Sequence, residues 1–237
     1  YDEYIYQHSF QVSIYSLAIA KELGYSRNDL KTIGIGALLH DVGKMLIPSE
    51  ILFKQSRLTD EEFEIMKQHT KTGFDILRNI HTISLLVAHC AFQHHERIDG
   101  SGYPRGLVDS EIHPYAKIIA VADVFDAVTT NRVYRNKMLP SQGIAIIEEG
   151  RGTIFDERVV DAFKKSVVHY PNGTILLLSD GRRGIVVEQN PKNAALPFLR
   201  IFEENHERIN NTYVIHLADE PNVKIEKVES EYIEYVE

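Results

Sequence analysis

Seven side chains suited to metal chemistry are spread over the first 123 residues of a 237-residue chain. They are His8, His40, Asp41, His69, His94, His95 and Asp123. An imidazole adjoins a carboxylate at His40-Asp41, and two imidazoles adjoin at His94-His95. Neighbouring residues on a helix project about 100° apart, so an adjacent pair cannot serve one ligand position. Such a pair can reach an object as wide as a metal cluster, or one member can bridge two ions. Two neighbouring imidazoles at a buried helix end repel if protonated, and a divalent cation takes both as neutral ligands. Taken alone, His8 or His69 would read as an ordinary core or surface histidine. Seven nitrogen and oxygen ligands together are too many for one tetrahedral zinc. They suit two ions sharing a carboxylate, each six-coordinate once waters are added. The only cysteine, Cys90, excludes a thiolate site and an internal disulfide, so iron(II) or manganese(II) fits better than structural zinc.

The spacing predicts helices that must bring these residues together. Residues 3–23 carry an apolar stripe of Ile5, Val12, Tyr15, Ile19 and Leu23, with His8 in it. Residues 28–42 form a second helix, with His40-Asp41 near its end, Gly43 as a left-handed cap and Lys44 following. Pro48 to Arg57 reads as a loop. Thr59 to Glu62 is a capping box that opens a third helix, with Phe63, Met66, Thr70, Gly73 and Leu77 on its inner stripe and His69 at the edge. A fourth helix, 82–95, ends in His94-His95. The stretch from Glu96 to Gly106 holds three glycines and a proline, and carries Arg97, Tyr103 and Arg105, so it is a loop suited to line a site. A long helix spans 114–133. Asp123 lies among Ile119, Ala122 and Ala127, where an unpaired carboxylate is costly. Asp126 shares its face three residues on, and a solvated position stays open for it. Helices at 140–149 and 157–169 follow, the second capped by Asp156.

The pattern then changes to strands, with a hairpin turning at Asp180-Gly181 and further strands at 197–202, 212–217 and 223–228. The expected fold is therefore mainly α, a helical bundle over residues 1–170. A small all-β, barrel-like module over 171–237 follows, ending in an acidic tail from Glu231 to Glu237.

Composition sets outer limits. Hydrophobic content of 43% and charged content of 25% are those of a globular protein with a sizeable core. No apolar run is long enough to span a bilayer, and no signal peptide is visible. The chain opens on Tyr1 rather than Met, which reads as a trimmed fragment. A net charge of −8 argues against binding long nucleic acid. It leaves room for a small anion held by a few local cations.

His40-Asp41 with distal histidines and aspartates resembles the pattern of HD-domain metallohydrolases. The run from His94 through Asp99-Gly100-Ser101-Gly102-Tyr103-Pro104 is similar to the defining motif of the HD-GYP subfamily. Lys44, the segment from Leu58 to His69, and Ala122 to Ala127 through Arg132 and Tyr134 match as well. The likeness covers about residues 4–169. It implies an HD-type helical bundle and a bacterial cytoplasmic phosphodiesterase. The expected substrate is cyclic di-GMP, opened by a metal-bridging hydroxide that attacks phosphorus. The products would be linear pGpG and, after a second cut, GMP.

The resemblance also implies roles. One metal would take His8, His40, Asp41 and Asp123, and the other Asp41, His69, His94 and His95. Lys44 would contact the scissile phosphate, Arg132 and Arg135 would hold phosphate oxygens, and Tyr103 and Asp126 would shape the pocket. Some family members carry a Glu four residues before the first histidine, for a third metal. Here that position is Tyr4, and Glu3 is out of register, so two metals are expected. A homodimer and an upstream sensor or receiver domain are compatible with the chain. Other readings stay open: an HD-fold di-iron oxygenase, a non-catalytic cyclic-dinucleotide receptor, and a nucleotide monophosphatase. The role of the β module is not legible from its residues.

Overall fold

A computed structural model describes residues 2–130 and 138–230, with side chains over 5–130 and 138–229. Arg132, Arg135, the side chain of Tyr4 and the acidic tail lie outside the described residues. The chain divides into two compact units, Tyr1–Met138 with Gln142–Ser166, and Leu139–Ser141 with Val167–Glu237.

The helices are α1 (Asp2–Glu22), α2 (Arg27–Leu38), α3 (Ser49–Leu52), α4 (Asp60–Arg78), α5 (Leu85–Gln93), α6 (Pro114–Thr129), α7 (Pro140–Glu149) and α8 (Glu157–Ser166). Their starts are written in capping residues. Ser26 and Asp29 form a reciprocal box at α2, and Thr59 and Glu62 form the expected one at α4. Asp156 accepts from the N–H groups of Arg158 and Val159 at the head of α8. The core is built from Val12 and Ile19 of α1, Ile33 of α2, Val87 of α5 and Ile118 and Ile119 of α6. Helix α6 is buried on most sides, as its largely apolar sequence predicts.

The ends of the helices differ from the periodicity. Helix α2 stops at Leu38, so His40 and Asp41 sit in a turn that runs into a 3₁₀ segment, Val42–Leu46. Gly43 does not take the expected left-handed cap. Its lack of a side chain serves close approach instead. A Cβ there would lie 1.9 Å from the carbonyl oxygen of His69 and 2.6 Å from the backbone nitrogen of Gly73. The turn that carries Asp41 thus lies directly on the backbone of α4. Helix α5 likewise ends at Gln93, with His94 as its C-cap, and α6 ends at Thr129. A single helical turn, α3, occupies part of the expected loop.

In the second unit, β1 (Ile175–Leu178), β2 (Arg183–Glu188), β3 (Phe198–Glu204), β4 (Glu207–His216) and β5 (Ile225–Ser230) form an antiparallel sheet. Its order is β4-β3-β2-β1-β5. Leu176, Leu178, Val186, Leu199, Ile201 and Leu217 make its core. The expected hairpin turns at Asp180-Gly181, with Gly181 at a φ of 83°. Among the described residues β4 and β5 are free ends of the order, so the sheet is open and the expected barrel-like closure is absent. No helix among the described residues is long and apolar enough to cross a membrane.

The two kinds of sequence signal should differ in cost. Gly43→Ala forces a methyl group into backbone, and overpacking of this kind costs about 3 kcal/mol or more. Thr59→Ala removes one N-cap and costs about 1 kcal/mol. Urea melts of the two variants check this. Equal stability of Gly43→Ala and the parent chain would contradict the close approach.

Candidate metal centre

All seven predicted ligands converge in the first unit. His8 lies on the buried face of α1, His69 on that of α4 and Asp123 on that of α6. The turn after α2 supplies His40 and Asp41, and the end of α5 supplies His94 and His95. Asp41 is the centre of the arrangement. Its Oδ2 lies 3.4 Å from His40 Nε2 and 3.7 Å from His8 Nε2. Its Oδ1 lies 3.4 Å from His69 Nε2 and 3.7 Å from His94 Nε2. The two oxygens of one carboxylate thus face two different histidine pairs. Asp123 Oδ1 joins the first pair, 3.3 Å from His8 Nε2 and 3.9 Å from His40 Nε2. Its Oδ2 lies 3.9 Å from His95 Nδ1. Donor atoms of Asp41, His69, His94 and His95 form one group of metal-binding size, and those of His8, His40 and Asp41 form another.

The backbone decides which ring nitrogens face inward. His40, His69 and His94 each donate Nδ1–H to the carbonyl three residues earlier, at 2.6, 2.7 and 2.9 Å. A carbonyl only accepts, so Nδ1 carries the proton and Nε2 is left as a lone pair for a ligand. His40 Nε2 and Asp41 Oδ1 are buried with no hydrogen-bond partner among the described residues. Orphaned acceptors in a dry site are costly, and a cation removes the cost.

Electrostatics point the same way. Burial pushes the Asp41 carboxyl up, but Lys44 and then His40, His69 and His94 outweigh it and hold it well below the usual carboxylate range. Burial also opposes ionisation of Asp123, and His8, His95 and His40 overcome it. Burial keeps His94 well below the usual imidazole range and drives His95 down to about 3. Burial works against the charge on His8 too, but hydrogen bonds with Asp123 and Asp126 lift its pKa to about 9. The cluster therefore holds ionised Asp41 and Asp123 beside neutral His94 and His95, donors suited to a divalent cation.

Around this core, Lys44 Nζ lies 2.5 Å from Asp41 Oδ2. Tyr103 stacks on His95, with ring centroids 4.6 Å apart. Asp126, expected at the pocket, is only 1% exposed, with Oδ2 2.6 Å from His8 Nδ1. The solvated position left open for it is excluded. Arg132 and Arg135 lie outside the described residues. Residue-by-residue reasoning gave Glu96 no role. Its buried carboxylate accepts from the N–H groups of Arg105 and Leu107, each at 2.9 Å, and so ties the glycine-rich loop to the histidine pair. The available signal was a carboxylate directly before a loop whose backbone donors need acceptors. Gly102 shows how closely the loop folds back. A Cβ there would lie 2.4 Å from the Arg97 nitrogen and 2.5 Å from the His95 oxygen.

The chain is similar to several known proteins. The chain is 39% identical over 201 residues to a cyclic di-GMP phosphodiesterase of Pseudomonas aeruginosa, covering 85% of this chain and 48% of that one. It is 47% identical over 161 residues to a cyclic di-GMP phosphodiesterase of Thermotoga maritima, covering 68% and 44%. The chain thus spans about half the length of the curated relatives it matches. Among solved structures, an HDG"Y"P protein from Bdellovibrio bacteriovorus shares the fold, with a TM-score of 0.57 and 22% identity over 67% of this chain and 51% of that one. A family model described as an HD domain matches residues 1–159, and the chain belongs to the HD domain family.

Proposed function

We propose that this chain is a metal-dependent phosphodiesterase that hydrolyses cyclic di-GMP to linear pGpG, with a second cut to GMP. The observation that carries the reading is the position of Asp41, whose two oxygens face two histidine pairs beside the glycine-rich loop. The names of the curated relatives support the substrate. The catalytic work is assigned to residues 1–170, since every candidate ligand lies there. Residues 171–237 are assigned to the β module. The lone cysteine fits a reducing, cytoplasmic setting.

The residues fit two divalent ions, iron or manganese, because the donors are imidazole and carboxylate and two buried acceptors lack partners. His8, His40, Asp41 and Asp123 would hold one, and Asp41, His69, His94 and His95 the other. Bound divalent ions supply Lewis acidity and lower the pKa of water, which yields a nucleophile at neutral pH. The chain supplies the rest. Asp41 holds both halves of the centre in one place. Lys44, beside Asp41, offers an ammonium to a non-bridging phosphoryl oxygen, where charge builds during in-line attack. Tyr103 presses on His95 and walls the site next to the phosphate. Arg132 and Arg135 are assigned to the phosphate oxygens. Burial around His69 and His94 excludes bulk water and strengthens each of these interactions.

Asp41→Ala should reduce turnover of cyclic di-GMP to background in a chromatographic product assay. The parent chain should turn over equally well without oxygen. Activity that needs oxygen would favour the oxygenase reading, and activity retained by Asp41→Ala would contradict the shared carboxylate. A panel with cyclic GMP-AMP and mononucleotides tests the substrate. Chelation should also destabilise the fold. A metal present at 100 times its Kd contributes about 2.7 kcal/mol, so its removal should lower Tm by roughly 5–10 °C. An unchanged Tm would contradict metal binding by the native cluster.

A further inference from the structure

The histidines of the cluster are not anchored alike. His40, His69 and His94 bond to carbonyls of their own turns. Those anchors come with the local backbone, and no side-chain substitution can remove them. His95 rests on the ring of Tyr103. His8 is different, because its Nδ1 pairs with a carboxylate 118 residues away, at 2.6 Å. That carboxylate, Asp126, is 1% exposed and engaged through both oxygens. Its Oδ1 accepts from the Thr130 hydroxyl at 2.9 Å, and the Thr130 N–H caps α6 by donating to the Asp126 carbonyl at 2.9 Å.

The chemistry of such a chain is defined. A carboxylate oxygen 2.6 Å from His8 Nδ1 serves as an acceptor there, which places the His8 proton on Nδ1 and leaves Nε2 to face Asp41 and Asp123. A carboxylate behind a ligating imidazole also makes it a stronger donor. The effect should be local. His8 belongs to one half of the cluster, while His69, His94 and His95 belong to the other and have their own anchors.

We infer that Asp126 is a positioning residue for one of the two ions: it orients His8 through Nδ1, and Thr130 in turn orients Asp126. This rests on the two-ion reading above. Asp126 therefore acts behind a ligand rather than on the substrate. It also joins that ligand to the C-terminal end of α6, the element from which the chain leads on to Arg132 and Arg135.

Metal binding tests this without reference to turnover. Apo protein would be titrated with Mn²⁺ by calorimetry, and bound metal counted after gel filtration, for the parent chain, Asp126→Ala, Asp126→Asn and Thr130→Val. The parent should bind two ions. Asp126→Ala should weaken one site by about 10–100-fold and leave the other unchanged. Asp126→Asn, which keeps an acceptor oxygen but not the charge, and Thr130→Val should show smaller losses at the same site. His69→Ala should weaken the opposite site. Parent protein that binds fewer than two ions would overturn the two-ion reading itself. A parent that binds two ions, with Asp126 variants that bind both unchanged and raise only KM, would overturn the positioning role and make Asp126 a substrate contact. Equal weakening of both sites by Asp126→Asn and Thr130→Val would also overturn it.

Discussion

A carboxylate buried among imidazoles is the constraint on which the first unit depends. Asp41 is 3% exposed, and both its oxygens lie within 3.7 Å of histidine nitrogens from three helical segments and its own turn. Such a group is stable only if cations surround it. Lys44 supplies one, and divalent ions would supply the rest. Much of the backbone is arranged to make that possible. The turn carrying Asp41 must lie against α4, and a glycine at 43 facing Gly73 lets it do so. Helix α5 must stop where its last turn points His94 inward.

The histidines show how a fold turns imidazole rings into a directed donor set. Three use carbonyls of their own turns, one uses a distant carboxylate, and one uses a stacked ring. In each hydrogen-bonded case the second nitrogen faces inward. Burial suppresses the charge on His94 and His95, so these ligands need not lose protons before binding a cation. The surrounding loop is held with the same economy. Glu96 collects two backbone donors, and Asp99 accepts from the N–H and hydroxyl of Ser101. A net charge of −8 does not conflict with an anionic substrate, because the relevant field is set by Lys44 and by what the cluster holds.

The convergence of the seven side chains was legible because its physics is compositional. Carboxylates and imidazoles on apolar helical stripes need a reason to be there, and His8, His69 and Asp123 gave one only together. The small β module was legible from its strand and turn residues, although an open sheet and a barrel share the same alternation. Helix ends were less legible. Periodicity over 28–42 extends the helix through His40, whereas contact between Gly43 and α4 ends it at Leu38. That is a tertiary cause with no local signature. Asp126 shows the same limit. Its i, i+3 spacing from Asp123 suggested a shared face, and both carboxylates do meet His8, but through opposite ring nitrogens, a division that only the approach of α1 sets. Glu96 was overlooked because a carboxylate bonded to backbone leaves no spacing pattern.

The central claim is that Asp41 joins two ions into one centre. Electron paramagnetic resonance of protein loaded with two Mn²⁺ per chain tests it most directly. Two ions sharing a carboxylate should give an exchange-coupled spectrum, and Asp41→Asn should reduce it to that of isolated ions. Two Mn²⁺ per chain with the spectrum of uncoupled ions in the parent protein would contradict the claim.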